Sequence, residues 1–202
     1  MKIKVCGMTD SGNINEVSAL KPDFMGFIFY ADSPRNVTQS LPETSDTIIR
    51  TGVFVNASED EIREKSAFYH LKAIQFHGNE SPEFLEKFSG FMRIKVFSVA
   101  TNFDFDRLKP FEAVADYFLF DTKGERLGGN GTRFDWEILK KYPSDKPYFI
   151  SGGIGPNDIQ QLKDSGLKPF GIDINSKFET QPGIKNILLI QEFLKELRLC
   201  FQ

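Results

Sequence analysis

Short apolar runs alternating with helix-like segments predict an α/β fold, a single (β/α)8 TIM barrel spanning residues 1–202. Two further observations select the barrel. The runs recur roughly every 20 to 30 residues, as a repeated strand–helix unit requires. The residue that ends or follows a run is also repeatedly one able to do chemistry. Strands scattered along a chain bring their ends to one face only if they lie parallel in one sheet. A parallel barrel does this and carries its active site at the C-terminal strand ends. An open doubly wound sheet is the competing fold. It calls for a Gly-rich fingerprint after the first strand, which is absent, and for a site gathered in one crevice.

In chain order, Ile3-Lys4-Val5 ends in Cys6-Gly7, and a helix-like segment covers residues 13–20. Phe24-Met25-Gly26-Phe27-Ile28-Phe29 leads to Ser33-Pro34-Arg35, followed by a weakly helical stretch over 36–46. A helix over 59–69 opens on Ser58-Glu59-Asp60-Glu61, a capping-box pattern with an acidic first turn. Ile74-Gln75-Phe76 ends in His77-Gly78, and Ser81-Pro82 reads as an N-cap with proline at the first position of a helix over 82–88. A further helix is expected over 106–113. Tyr117-Phe118-Leu119-Phe120 ends in Asp121, before a helix over 135–141. Tyr148-Phe149-Ile150 runs into Ser151-Gly152-Gly153, and Gly155-Pro156 reads as the start of a helix over 157–165. Phe170-Gly171-Ile172-Asp173-Ile174 leads to Asn175-Ser176. The last helix is expected over 184–199, with Ile187, Ile190, Leu194 and Leu197 at three- and four-residue spacing.

Composition narrows the function. At 202 residues the chain is close to the lower size limit of such barrels, so loops are short and a second domain has no room. The 21 Phe residues suit both the barrel interior and the layer between sheet and helices. A net charge of −3 with no basic stripe argues against nucleic-acid binding. No apolar stretch approaches a membrane span or a signal peptide. Cys6 is expected at the top of the barrel and Cys200 at its bottom, so they are not expected to pair, and a reducing cytoplasmic setting fits best. A metal site is not expected: His70 and His77 are the only histidines, and neither Asp173 nor Glu179 has one at ligand spacing.

Several strand-end residues have a functional reading beside a plain one. Gly152-Gly153 and Asn175-Ser176 can cradle a phosphate through backbone N–H groups, or simply turn the chain. Cys6 is a competent base or nucleophile, or a small core residue. A carboxyl at the end of an apolar strand can be held protonated and act as an acid, which suits Asp121, or cap a loop. His77 reads as catalytic or structural. Arg35 offers a fork for a planar carboxylate, or a solvated loop charge.

Some motifs also occur in a specific order and spacing. They are Lys4-Val5-Cys6-Gly7-Met8, Gly26-Phe27-Ile28-Phe29 with Ser33-Pro34-Arg35, Gly52-Val53-Phe54, Gln75-Phe76-His77-Gly78 and Asp121-Thr122. They continue through Gly128-Gly129-Asn130-Gly131, Phe134-Asp135-Trp136, Ser151-Gly152-Gly153-Ile154, Asp173-Ile174-Asn175-Ser176, Glu179 and Pro182-Gly183-Ile184-Lys185. Nearly end to end, the chain resembles the phosphoribosylanthranilate isomerase family of tryptophan biosynthesis. The resemblance implies a barrel of the ribulose-phosphate-binding type. It also implies an Amadori rearrangement, needing no cofactor, of a phosphoribosyl aminoaldose to a 1-amino-1-deoxyribulose phosphate. It matches Cys6 to the general base, Asp121 to the general acid, and Arg35 to the group that binds the anthranilate ring and carboxylate. Gly152, Gly153, Asn175 and Ser176 match the phosphate site, with His77 and Asp173 also expected at the substrate. Lys177 and Asn175 depart from the family's usual glycine and serine, and Asn186 from an aspartate at a helix start. An ordinary thiol is only a few per cent ionised at pH 7, a tolerable penalty of about 2 kcal/mol, so no large pKa shift is needed. The expected partner is the small-molecule substrate phosphoribosylanthranilate, bound by a monomer or homodimer. The rival readings are the histidine-pathway aminoaldose isomerase, which has an aspartate in place of Cys6, and a non-catalytic phosphate-binding barrel.

Overall fold

A computed structural model describes residues 1–100, 102–122 and 135–201. The Gly128-Gly129-Asn130-Gly131 run and Phe134 lie outside them. The strands are β1 (Lys2–Val5), β2 (Phe24–Phe29), β3 (Ile49–Phe54), β4 (Ala73–Phe76), β5 (Met92–Val99), β6 (Tyr117–Thr122), β7 (Tyr148–Ile150) and β8 (Gly171–Ile174). They pair in parallel in chain order and close into a barrel, with β8 returning to β1 through Lys4↔Asp173 and Val5↔Ile174.

Alternate residues of a strand face opposite sides of the sheet. One set, including Val5, Met25, Phe27, Phe54, Phe76, Phe118, Phe120 and Ile174, packs outward into the layer shared with the helices. The other set faces inward. Phe24, Ala73, Ile94, Val96, Leu119 and Phe149 form a separate apolar cluster inside the barrel. Its rings meet edge to face, Phe24 on Phe149 at 5.2 Å between centroids. Two residues further along, the same inner columns turn polar. Gln75 and His77 follow Ala73, Asp121 follows Leu119, and Cys6 follows Lys4. Strand period and strand direction thus deliver chemistry to one end of the barrel.

Helices α1 (Ser11–Ala19), α2 (Glu59–Phe68) and α3 (Pro82–Glu86) start where capping residues allow. Asp10, Ser58 and Ser81 each accept a hydrogen bond from the amide three residues on. Helix α4 is shorter than expected, Ile159–Asp164, and Gly155-Pro156 does not start it. Asp158 turns its carboxylate back onto the Gly155 amide at 2.7 Å, so the chain makes a turn before the helix begins. The segments expected as helices over 106–113 and 135–141 are 3-10 helices, Phe105–Phe111 and Trp136–Lys141. In each, the aspartate before it binds the amide two residues on, which favours the tighter winding, and Pro110 cannot donate to an α-helical ladder. The 36–46 stretch forms no helix. Val37 bonds back to Ile28, and Arg50 ties down the Pro42 carbonyl.

The largest departure is at the C-terminal side of β8. A hairpin of β9 (Glu179–Gln181) and β10 (Ile184–Lys185) forms there, and β10 takes the first two residues of what reads as the last helix. Gly183 supplies its turn at φ 87°. The Asn13 side chain pairs with both backbone groups of Lys185 and holds them extended. Helix α5 (Ile187–Cys200) begins only after Asn186, whose side chain caps Leu189. Its buried face is Ile190, Phe193, Leu194 and Leu197. Among the described residues, no helix is long and apolar enough to cross a membrane.

Candidate active site

The mouth of the barrel holds three linked groups of side chains. The first is built on β1 and β8. Cys6 directly follows β1 and is buried. Lys4, two residues earlier and therefore on the same inner face, is fully buried, and its ammonium lies 2.7 Å from Asp173 Oδ2. The other carboxylate oxygen, Asp173 Oδ1, is buried with no hydrogen-bond partner. Gly26 of β2 leaves room for this group. A Cβ there would stand 2.6 Å from Cys6 Sγ and 3.1 Å from Lys4 Nζ. Burial pushes the Cys6 thiol above its ordinary range, Lys4 pulls it down and Asp173 adds to the rise. The net effect is a rise, because burial disfavours the thiolate.

Asp121, on β6, lies three strands from β1 around the barrel. Burial raises its carboxyl to about 6, with the Thr122 amide opposing at 2.8 Å and Asp173 adding to the rise. His77 Nε2 stands 3.5 Å from Asp121 Oδ2. Burial, together with the cations Lys4 and Lys95, lowers His77 to about 4. The histidine is therefore neutral near pH 7 and leaves the high carboxyl pKa in place; the contact is not an ion pair. Gly152 packs against the same carboxyl: a Cβ would lie 2.7 Å from Asp121 Oδ1 and closer still to Thr122. His77 also borders a hollow of about 420 Å³ between the ends of β4 and β5.

The third group surrounds the hairpin. Arg35 is buried, and its Nε and Nη2 already grip Glu179, at 2.8 and 2.5 Å. Lys185 Nζ donates to Glu179 Oε1 at 2.6 Å and to Asn175 Oδ1 at 2.7 Å. Burial opposes the Glu179 charge, but Arg35 and Lys185 outweigh it and hold the carboxyl below its usual range. The Nε–Nη2 edge of the Arg35 fork is thus occupied by the protein's own carboxylate. Gly7, at φ 76°, brings the backbone against Asn175 and Arg35. Gly152 and Gly153 take successive positive φ angles of 82° and 70°. Ser176 opens the 3-10 turn Ser176–Phe178, while Lys177 is exposed.

All nine expected site residues lie at or just beyond the C-terminal ends of strands. Asn175 turns its amide oxygen inward to Lys185 instead of capping the turn that follows it. Sequence reasoning assigned no role to Lys4 or Lys185. Lys4 carried a readable signal, a lysine in an apolar run two residues before Cys6. Lys185 did not, because its residue was placed in a helix.

Comparison with known proteins extends this geometry. The family model described as N-(5'phosphoribosyl)anthranilate (PRA) isomerase matches residues 3–196. An N-(5'-phosphoribosyl)anthranilate isomerase of Parabacteroides distasonis is 43% identical, covering 98% of this chain and 93% of its own. The phosphoribosyl anthranilate isomerase structure from Thermotoga maritima superimposes with a TM-score of 0.85 at 29% identity, covering 98% of each chain. A structure solved with reduced 1-(o-carboxyphenylamino)-1-deoxyribulose 5-phosphate gives 0.82 at 27% identity, again over 98% of each.

Proposed function

Because the chain belongs to the N-(5'-phosphoribosyl)anthranilate isomerase family, we propose which of its strand ends perform each part of that reaction. The protein is an isomerase of tryptophan biosynthesis. It converts N-(5-phosphoribosyl)anthranilate to 1-(2-carboxyphenylamino)-1-deoxyribulose 5-phosphate by acid–base Amadori rearrangement.

Asp121, in its protonated form, gives its proton to the furanose ring oxygen, and the ring opens to an iminium. The cationic nitrogen acidifies the C2 proton, which the Cys6 thiolate removes. The enolamine then tautomerises to the ketone. Arg35, oriented by Glu179, binds the anthranilate carboxylate with its free edge. Backbone around Gly152-Gly153 and Asn175-Ser176 takes the phosphate, where positive-φ glycines let an anion approach closely. His77 stays neutral beside the acid, and a cytoplasmic protein with both cysteines free fits this chemistry. The observation that carries the assignment is the contrast between two buried groups. Asp121 is raised to about 6 and can hold a proton, while Cys6 stands beside a lysine.

The test is turnover of freshly made phosphoribosylanthranilate. Cys6→Ala and Asp121→Asn should each lose about 10²–10⁴ in kcat, the usual contribution of a positioned base or acid. Both should keep their circular dichroism and still bind a product-like anthranilate phosphate. Near-normal turnover by Cys6→Ala at saturating substrate would falsify the assignment.

A further inference from the structure

A general base must be ionised to work, yet Cys6 sits among residues that suppress its ionisation. Among the described residues, Lys4 faces it from its own strand, Asp173 from β8, Lys185 from β10, and Asp121 and neutral His77 from β6 and β4 across the mouth. Of these, Lys4 is the cation with the strongest influence on the thiol, ahead of Lys185, which is committed to Glu179 and Asn175.

Lys4 is fully excluded from water, and a buried ammonium without a partner loses its proton. Asp173 prevents this at 2.7 Å, and the two residues are register partners across the β1–β8 seam. The pairing uses one carboxylate oxygen and leaves the other unsatisfied. Such an orphan costs stability, so the pair is a poor device for holding the barrel together. The absence of a side chain at Gly26 lets the ammonium and the thiol border the same point.

We propose that Lys4 is the positioning residue that makes Cys6 a usable base: held charged by Asp173, it provides the counter-cation for the thiolate. The proton leaves Cys6 to solvent before substrate binds, and the thiolate–ammonium pair waits at the β1 end. When Cys6 takes the C2 proton, the thiol re-forms and Lys4 returns to Asp173 alone. This rests on the reading of Cys6 as the base, and the two can fail separately.

Thiolate formation is read directly from its ultraviolet absorbance in a Cys200→Ser background, with the Cys6→Ala version of that protein subtracted to remove the tyrosines. Removing a cation a few ångströms away moves a pKa by about one to three pH units. Lys4→Met should therefore shift the Cys6 inflection upward by that amount. Its kcat near neutral pH should fall about ten- to a thousandfold, with KM little changed. Asp173→Asn keeps the shape but removes the carboxylate that holds Lys4 charged, so it too should move the inflection up. A structural role alone would not shift the thiol's titration in variants that keep their fold. An unmoved inflection in Lys4→Met, or an unmoved or lowered one in Asp173→Asn, overturns the proposal. If Lys4→Met does not fold, the direction in Asp173→Asn decides. If Cys6→Ala remains active, the base assignment itself is wrong, whatever the titration shows.

Discussion

Arg35 carries a charge that a sequence reading assigns wholly to the substrate, whereas the structure pairs it with Glu179. Nε and Nη2 hold Glu179, so the guanidinium is fixed before any ligand arrives. A fixed fork binds substrate and transition state alike, and uniform binding appears in KM. Arg35→Ala should raise KM about ten- to a hundredfold, the worth of a charge-assisted hydrogen bond, with kcat nearly kept. Glu179→Gln leaves the arginine in place but loosens it, so its KM should rise by less. A collapse of kcat in Arg35→Ala would give the residue another role. The acid and base set the pH dependence. In the proposed mechanism activity needs Cys6 ionised and Asp121 protonated, each the minor form of its group near neutral pH. Below about pH 6 Asp121 is protonated and the rate climbs with the thiolate. Above about 6, gain of thiolate and loss of the carboxylic proton cancel, and the rate is level. It falls only once the thiol is mostly ionised, beyond the ordinary value of about 8.5 because burial raises it. Even an ordinary thiol would leave about one molecule in three hundred in the productive state. A kcat/KM profile with a sharp maximum below pH 6 would contradict this.

Two adjacent glycines after β7 illustrate what an element contributes beyond its residues. Gly152 has a job toward β6, because any side chain there would strike Thr122 and Asp121. Gly153 continues the left-handed turn and is assigned to the anion. Gly152→Ala should therefore lower kcat by displacing the acid, whereas Gly153→Val should weaken competition by inorganic phosphate. Unchanged phosphate inhibition in Gly153→Val would place the anion elsewhere. At this scale the sequence was legible where an element is long or strongly capped. The inner-column residues Cys6, His77 and Asp121 fall at strand ends that apolar runs mark, and Ser58 and Ser81 announce their helices. It was illegible just past β8, where the strands are two and three residues long and no apolar run marks them. The β9–β10 hairpin is too short for any periodicity to show, and its identity depends on Asn13, far away in the chain, clamping Lys185. That clamp places Lys185 and Glu179 in the site, and no local pattern encodes it.

Over the whole molecule, the barrel divides its interior into an apolar half and a chemical half. Phe149 belongs to the first. It is fully buried and meets Phe24, Phe170 and Tyr117 at 5.2, 5.3 and 5.6 Å between ring centroids. These rings fill the barrel toward the N-terminal ends of the strands, behind Lys4 and Asp173. Phe149→Ala should destabilise the fold by about 3–5 kcal/mol, the cost of a large aromatic removed from a close-packed core. The denaturant midpoint would report this, with the slope unchanged if unfolding remains two-state. The folded fraction should nevertheless keep its kcat and its phosphate inhibition. Cys6, Asp121 and Arg35 are held by backbone pairing at the opposite strand ends and by the hairpin. They gain nothing from the rings directly. The sensitive point is β7 itself, since Gly152 follows this short strand by two positions and stands three residues from Phe149. If losing the ring let β7 slip against β6 or β8, Gly152 would leave Asp121 and kcat would fall together with stability. Paired loss of both would mean that the apolar half sets the register of the site. Loss of stability alone would mean that the Phe118↔Tyr148 and Ile150↔Ile172 pairings on either side of β7 hold it without the ring.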